Sequence, residues 1–296
     1  MVDAGRLVML REVALRGTIA SAARSLGLTP SAVSQQLAVL EREAGCALLD
    51  RSPRGVALTG AGRALAERAG AIVDVLAAAR ADLDRLGGSV SGPVTVAAVA
   101  SAAGTLVSDG VLRLRKGQPG VEVSVIVAEP RDALDLLHTG DVDIAVVDEY
   151  DYVPLALPDH LDARQLRTEP LVAVGAPGAL PRAVALASLA DADWVMPSDS
   201  AACGQAVRSA CRAAGFEPRV RWQTDDMLLL VRAVAAGHGV SVLPRLAVAA
   251  EAADVDVRPL RAPRLRRRIS AVTRTGGAAR PVVRAVLNAF DATRDD

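Results

Sequence analysis

The side chains able to act as nucleophiles, metal ligands or redox groups are few and widely spaced. The 296 residues include three cysteines and three histidines: Cys46, Cys203, Cys211, His138, His160 and His238. Their spacing matches neither a zinc site nor a disulfide framework. The chain also lacks a nucleophile elbow and a phosphate-binding glycine loop. We therefore expect no catalytic residues, no metal site and no cofactor, and we predict that the protein is not an enzyme.

A different chemistry is carried by LGLTPSAVSQQLAVLEREAG, residues 26–45. Helical spacing places one apolar stripe inward, formed by Val33, Leu37, Leu40 and Ala44. The opposite face carries Ser31, Gln35, Ala38 and Arg42, with Ser34 on its flank. Glutamine can pair bidentately with adenine and serine can approach several bases, so this face is able to read a major groove. The alternative is an ordinary surface helix.

Two shorter helices precede this one and must position it. The first covers RLVMLREVALR, residues 6–16, and ends at Gly17. The second begins after the capping residue Thr18 and stops near Gly27. Thr29 can cap the third helix, where proline suits the first position. The spacing thus predicts a helix-turn-helix unit.

Basic side chains follow in CALLDRSPRGVALTG, residues 46–60, whose pattern predicts a strand, a turn and a second strand. Arg51 and Arg54 lie in the turn, where they could contact a flanking backbone or minor groove as a wing. Without the preceding helices, they would be read as solvated surface charges. The whole chain has zero net charge, so any nucleic-acid contact must come from a local patch.

The order of these motifs resembles the winged helix-turn-helix of LysR-type transcriptional regulators. The resemblance covers about 45 positions, including the helix-turn-helix, LEREAG at 40–45 and LTGAG at 58–62. It departs from the family's usual pattern at Ser31 and Gln35, which affects the expected base preference. The resemblance implies sequence-specific binding of double-stranded DNA, and we expect contacts from Thr29, Ser31, Ser34, Gln35, Arg51 and Arg54.

Residues 60–86 repeat apolar side chains at alternating steps of four and three. The heptad seam includes Leu65, Ile72, Leu76, Leu83 and Leu86. A single amphipathic helix packed on its own domain is the alternative. The strand–glycine–helix pattern at 56–71 also imitates a dehydrogenase, but the later glycines and a Tyr-x-x-x-Lys pair are missing. The resemblance implies a linker helix that pairs two chains into a homodimer or homotetramer.

Beyond Pro93, short apolar strands alternate with helices, which predicts parallel α/β layers. The expected fold class is α/β, with an N-terminal winged helix-turn-helix, a long linker helix and a C-terminal two-lobed effector domain resembling periplasmic binding proteins. We place the domains at 1–59, 60–87 and 93–296, joined by a hinge at 88–92. Within the last domain, lobe I would comprise 93–163 and 266–296, and lobe II 164–265.

Ligands in such sheets bind beyond the strand ends, against helix N-termini. The effector-site residues expected at these positions are Ser101, Asp148, Ser198, Ser200 and Thr224. The serines and the threonine could instead be helix caps without a ligand, and the carboxylate a solvated loop acid. If these groups converge, helix N-termini beside a carboxylate suit an amino-acid-like zwitterion, which we take as a hypothesis for the effector.

Three alternatives remain at this point. Cys203 and Cys211 could make the protein a redox-responsive regulator of the same family, although eight residues of one helix separate them by about 12 Å. The α/β part could be a small-molecule-binding protein or an enzyme. An RNA or single-strand binder is disfavoured because residues 1–149 contain no aromatic side chain for base stacking.

Two further expectations concern location and the basic segment RAPRLRRR at 261–268. Charges interrupt the N-terminal apolar residues, and no stretch is long enough to span a bilayer, so we expect a cytoplasmic protein without membrane contact. We interpret the arginines of 261–268 as a solvated start of a strand or a subunit contact.

Overall fold

The computed structural model describes residues 3–52, 55–66, 68–70, 72, 75, 90–158, 160–248 and 254–291. Helices α1 to α3 are Ala4–Arg16, Ile19–Ser25 and Pro30–Ala44, followed by strands β1 (Leu49–Ser52) and β2 (Gly55–Leu58). The backbone is then helical at 60–66, 68–70, 72 and 75, which we call the linker helix. Of these described helices, none has the length and hydropathy that a membrane span requires.

The remaining strands are β3 (Gly92–Ala98), β4 (Val121–Val127), β5 (Ile144–Tyr150), β6 (Leu161–Gly175), β7 (Val184–Ala185), β8 (Asp193–Met196), β9 (Arg219–Gln223), β10 (Ser241–Pro244), β11 (Asp256–Ala262) and β12 (Arg266–Arg274). Helix α4 joins Ala100–Ala102, a π-helical turn at Ala103–Val107 and Ser108–Gly117. The later helices are α5 (Pro130–Thr139), α6 (Ala202–Ala213), α7 (Met227–Ala235) and α8 (Pro281–Asp291).

The three N-terminal helices form as predicted because each boundary has a local cause. Gly17 ends α1 with a left-handed φ of 72°, which glycine adopts at little cost. The Thr18 side chain accepts from Ser21 N at the start of α2, and Thr29 accepts from Ala32 N at the start of α3. The predicted caps at Thr18 and Thr29 are therefore confirmed.

The core of this N-terminal unit contains the stripe predicted for α3. Val33, Leu37 and Leu40 are fully buried, whereas Ala44 is only half-buried. Ala66 and Ala69 of the linker helix are buried in the same core. The small residues allow the linker helix to lie close against the helix-turn-helix, so the start of this helix is part of the DNA-binding unit.

The turn into the linker helix depends on Thr59 and Gly62. The Thr59 hydroxyl donates to Ala47 O over 2.8 Å and accepts from Gly62 N over 3.0 Å. A Cβ built on Gly62 would lie 2.1 Å from the carbonyl oxygen of Leu48. The glycines of the LTGAG motif therefore allow the linker helix to pack closely against the wing. This packing explains the resemblance of the motif to a nucleotide-binding loop.

The C-terminal sheet is mixed, not parallel throughout. Its eight strands follow the order β4-β3-β5-β12-β6-β11-β7, with β10 also paired to β6. Strands β4 and β5 lie parallel to β3, but β12 is antiparallel to both β5 and β6. The expectation of parallel layers was wrong here because the chain returns to lobe I only through its last strand, which must then run the opposite way.

Two lobes share this sheet, each with its own hydrophobic core. Strand β6 connects them: its residues up to Pro170 pair with β12, and those from Leu171 pair with β10. The proposed division at 163–164 therefore falls inside a continuous strand. Strands β8 and β9 form a separate parallel pair in lobe II.

The N-terminal unit contacts lobe I through α1. An Arg16 Nη2 group lies 2.7 Å from Asp141 Oδ1, and the same guanidinium pairs with Glu12 over 2.7 Å. Arg11 donates to the backbone oxygen of His138 at the end of α5. Helix α1 therefore belongs to the DNA-binding unit and also forms a polar contact with the effector domain.

We predict that Gly62→Ala destabilises the N-terminal unit by about 1–3 kcal/mol, since the new methyl group must displace backbone. The matched control is Gly60→Ala, because a Cβ at Gly60 meets no atom within 4 Å. Urea denaturation followed by circular dichroism measures both variants. Equal stabilities for the two variants would contradict the assigned role of Gly62.

Candidate functional site

The predicted DNA-reading face of α3 is accessible. Ser31 and Gln35 are exposed and Ser34 is half-buried, with the apolar stripe of α3 directed to the core. Gln36 faces inward, where its Oε1 accepts from Arg6 Nε over 2.9 Å. Neighbouring glutamines thus differ in environment: half-buried Gln36 is bonded to α1, and Gln35 presents its amide to solvent.

Arg6 and Glu41 hold α3 in place. Arg6 also pairs with Glu43 over 2.5 Å, which connects α1 to the C-terminal half of α3. The Glu41 carboxylate accepts from the backbone N–H groups of Leu48 and Leu49, so it satisfies the start of β1. Sequence reasoning missed this role of Glu41, although its position at the end of a recognised motif was visible.

The predicted wing is a two-stranded antiparallel hairpin in which Ser52 is opposite Gly55. Arg51 belongs to β1, and the tip residue Arg54 lies outside the described residues. The prediction of strand, turn and strand is confirmed for the backbone. The contacts expected of the two arginines stay a prediction.

Of the predicted pairing seam, Leu65 is half-buried against the N-terminal core and Ile72 is exposed. Val75, one turn further, is 67% exposed. Leu76, Leu83 and Leu86 lie outside the described residues. The apolar side chains of Ile72 and Val75 are therefore exposed on the linker helix. Such exposure is what a helix that pairs with a second chain requires.

The predicted effector residues fall into two groups. In the first, the buried guanidinium of Arg267 donates to Ser101 Oγ over 2.7 Å and to Asp148 Oδ2 over 3.1 Å. Arg267 also pairs with Glu169, which in turn accepts from Leu246 N. Ser101 and Asp148 thus meet at one arginine on β12.

For Ser101 and Asp148, the alternatives to an effector role, a helix cap and a solvated loop acid, are wrong. Ser101 does not cap α4: Val99 occupies the cap position without a side-chain bond, and the Ser101 hydroxyl faces Arg267. Asp148 is no solvated loop acid, because it is buried at the end of β5 and also accepts from Tyr150 Oη over 2.9 Å. Its charge is balanced internally.

The arginine-rich segment at 261–268 was also misinterpreted at one position. Arg267 is 1% exposed, whereas Arg266 is exposed and Arg268 is half-buried. Successive side chains of a strand point to opposite faces, so Arg267 alone is directed inward. Burial by itself lowers the pKa of Arg267, but the fields of Tyr150, Glu169 and Asp148 raise it, so the guanidinium stays charged.

The second group surrounds Asp225 in lobe II. Its carboxylate accepts from the Ser198 backbone N–H and from the Ser198 hydroxyl, each over 2.8 Å. The Ser200 hydroxyl lies 2.8 Å from that of Ser198. Thr224 is adjacent in sequence but does not cap α7, because Asp226 accepts from Leu228 N and Leu229 N.

Glu129, which sequence reasoning missed, connects the two groups electrostatically. It stands at the start of α5 without a capping bond and is exposed. Partial loss of hydration, followed by the negative fields of Asp148 and Asp225, raises the pKa of Glu129. Because one of those carboxylates belongs to lobe I and the other to lobe II, Glu129 experiences the negative charge of both lobes.

The charges of this cleft favour a cation. Arg267 is already matched by Glu169 and Asp148, whereas Glu129 and Asp225 have no cationic partner among the described residues. Among these residues there is also no set of three or more metal-binding side chains placed to hold an ion. An ammonium group is the simplest ligand for such a site.

Cys203 and Cys211 do not have the environment of redox-active thiols. Both lie on α6 and are buried, and burial raises the pKa of each thiol to about 12. A reactive cysteine needs a stabilised thiolate and access. The rise of the helix also separates them beyond the roughly 4.4–6.8 Å that a disulfide spans.

Comparison with known proteins agrees with this architecture. Residues 5–63 match the family described as bacterial regulatory helix-turn-helix protein, lysR family, and residues 87–294 match the LysR substrate binding domain. The small neutral protease regulatory protein of Streptomyces coelicolor is 30% identical over 266 residues, covering 88% of this chain and 83% of that protein.

Two solved structures show the same fold. A full-length OxyR variant from Pseudomonas aeruginosa superposes with a TM-score of 0.73 at 20% identity, covering 98% of this chain and 95% of that one. Full-length CbnR complexed with its target DNA gives a TM-score of 0.58 at 18% identity over 99% and 100% of the two chains. On the family matches, the chain is a member of the LysR family of transcriptional regulators, with a DNA-binding helix-turn-helix and an effector-binding domain.

Proposed function

We propose that the exposed face of α3 reads an operator and that the cleft between the lobes binds a small effector bearing an ammonium group. The proposal of an ammonium-bearing effector rests on one observation. The carboxylates of Glu129 and Asp225 have no cationic partner in the described part of the chain. In this proposal the effector domain binds its ligand without catalysis, and the protein acts in the cytoplasm.

For DNA recognition, Ser31, Ser34 and Gln35 would contact base edges, with Thr29 at the N-terminus of α3 near a phosphate. Arg51 and Arg54 of the wing would contact the flanking backbone. CbnR is related in fold and has been seen bound to its target DNA, which supports this placement. The exposed Ile72 and Val75 support pairing of two chains, which would present two such helices to a pseudo-palindromic operator.

For the effector, Glu129 and Asp225 would hold the ammonium group, and Ser198 and Ser200 would contact the rest of the molecule. An amino-acid-like zwitterion meets this description, because the N-terminus of α6 lies beside the serines and favours a carboxylate. Ligand bound between Glu129 of lobe I and Asp225 of lobe II would favour one lobe arrangement over the other.

We predict that Gln35→Ala relaxes the preference at one operator position by about 1–3 kcal/mol, whereas Arg54→Ala weakens binding to all sequences and lowers the salt slope by about 1. Binding selection from randomised operators and salt titrations measure these effects. Gln165→Ala is the matched control, because that amide is exposed on β6 of the effector domain. An unchanged base preference in Gln35→Ala would refute the proposed reading face.

We predict that calorimetric titration of the full chain with the 20 amino acids and simple amines identifies at least one cationic or zwitterionic ligand. Glu129→Gln should weaken its binding about tenfold or more, since an ion pair is lost. Glu122→Gln removes the same charge from an exposed position of β4 and should leave binding unchanged.

The pH dependence follows from the raised pKa of Glu129. Below that pKa the carboxyl group is neutral, so amine affinity should rise as the pH increases through it. No heat from any of these compounds, or equal affinity for Glu129→Gln and the wild type, would contradict the proposed ligand class.

A further inference from the structure

A cavity of about 400 Å³ lies between the segment that follows β5 and the segment that joins β11 to β12. One wall comes from the residues that follow β5, including Tyr152 and Pro154. The other comes from the residues that lead into β12, including Pro263, Arg264 and Arg266. Its volume is in the range of sites for small molecules.

This cavity is distinct from the cleft floor at Arg267. Arg266 and Arg268 line the cavity, whereas Arg267 between them binds Ser101 and Asp148. Because side chains alternate along a strand, Arg266 and Arg268 point away from that cluster, whereas Tyr150, whose hydroxyl donates to Asp148, lines the cavity as well. The acids alternate in the same way, with Asp148 beside Arg267 and Glu149 beside Arg268.

Of the three arginines that line the cavity, Arg264 has no acidic partner among the described residues. Arg268 pairs with Glu149 over 2.7 Å and with Asp151 over 3.3 Å, and Arg266 reaches Asp151 over 3.8 Å. Arg264 is exposed and makes no ion pair or hydrogen bond with any residue that the structure describes. The cavity therefore offers an unmatched guanidinium, which is suited to a carboxylate.

An aromatic side chain, Tyr152, lines the same cavity. Tyr152 is 55% exposed, and within the described chain its hydroxyl has no hydrogen-bond partner. Its φ of 73° is left-handed, which is unusual for a residue with a side chain, and the turn is closed by pairing of Tyr150 with Val153. Pro154 and Pro263 add apolar surface.

We propose that this cavity binds a small aromatic carboxylate, with Arg264 holding the carboxylate and Tyr152 contacting the ring. The site goes beyond the proposed function, because it is a second ligand site whose charge preference is opposite to that of the cleft. One of its walls is the segment that returns the chain from β11 of lobe II to β12 of lobe I, so its occupant contacts one connection between the lobes.

The test is calorimetric titration of the full-length protein with benzoate, using benzylamine and benzamide as charge controls. Benzoate should bind, and the cation and the neutral amide should not. Arg264→Ala should weaken benzoate binding about tenfold or more. Arg261→Ala removes an exposed arginine of the same segment outside the cavity and should have no effect.

A second variant tests the contribution of the Tyr152 ring without straining the backbone. Tyr152→Gly removes the ring at a position whose φ glycine adopts readily, so the protein should stay folded and lose affinity for benzoate. Glu129→Gln should leave benzoate binding intact, which distinguishes this site from the cleft. Absence of benzoate binding, or equal affinity for the wild type and Arg264→Ala, would overturn the proposal.

Discussion

The buried ion pair network of Arg267 is the interaction on which the effector domain depends. Strand β12 lies between β5 and β6, and Arg267 binds Asp148 of β5 and Glu169 of β6. Its third partner, Ser101, fixes the first turn of α4. A buried guanidinium is costly to desolvate, so loss of one partner would leave an uncompensated charge between β5, β12 and β6.

The same network shapes what the cleft can bind. Because Asp148 and Glu169 neutralise Arg267, the cleft has lost its positive charge, and the carboxylates left without a partner in the described residues are those of Glu129 and Asp225. On the other face of β12, Glu149 and Asp151 balance Arg268 and Arg266 but not Arg264.

A chain of polar contacts also leads from lobe I to the reading helix. Asp141 pairs with Arg16 at one end of α1, and Arg6 at the other end pairs with Gln36 and Glu43 of α3. A displacement of lobe I thus acts on α1, which is attached to α3 by side-chain bonds. This contact connects the effector domain to the DNA-binding unit in addition to the covalent chain between them.

The N-terminal unit could be predicted in detail because its determinants are local. Thr18, Thr29 and Gly17 each determine a helix boundary through bonds or backbone angles within one turn. The helical spacing of Val33, Leu37 and Leu40 directly identifies the side chains that are buried. The effector site could be predicted only by region. The effector role of its serines and of Asp148 stays a prediction, and Arg267 was hidden in a basic segment, where strand alternation was the available signal.

Other misses have the same origin in long-range structure. The first half of β6, LDARQLRTEP, is mostly polar and exposed, so it carries little strand signal until β12 pairs with it. Strand β11 contains Pro259, which weakens its pattern in the same way. Glu129 has no motif, and its importance follows from which carboxylates of the two lobes lie near it.

The most direct test of this account is the stability cost of breaking the Arg267 network, measured by urea denaturation of the effector domain within the full chain. Glu169→Ala should destabilise it by about 3–5 kcal/mol, because a buried charge loses its main partner. Glu217→Ala, which removes an exposed pair with Arg212, should cost about 1 kcal/mol or less. Equal, small effects for both variants would contradict the claim that Arg267 organises the domain.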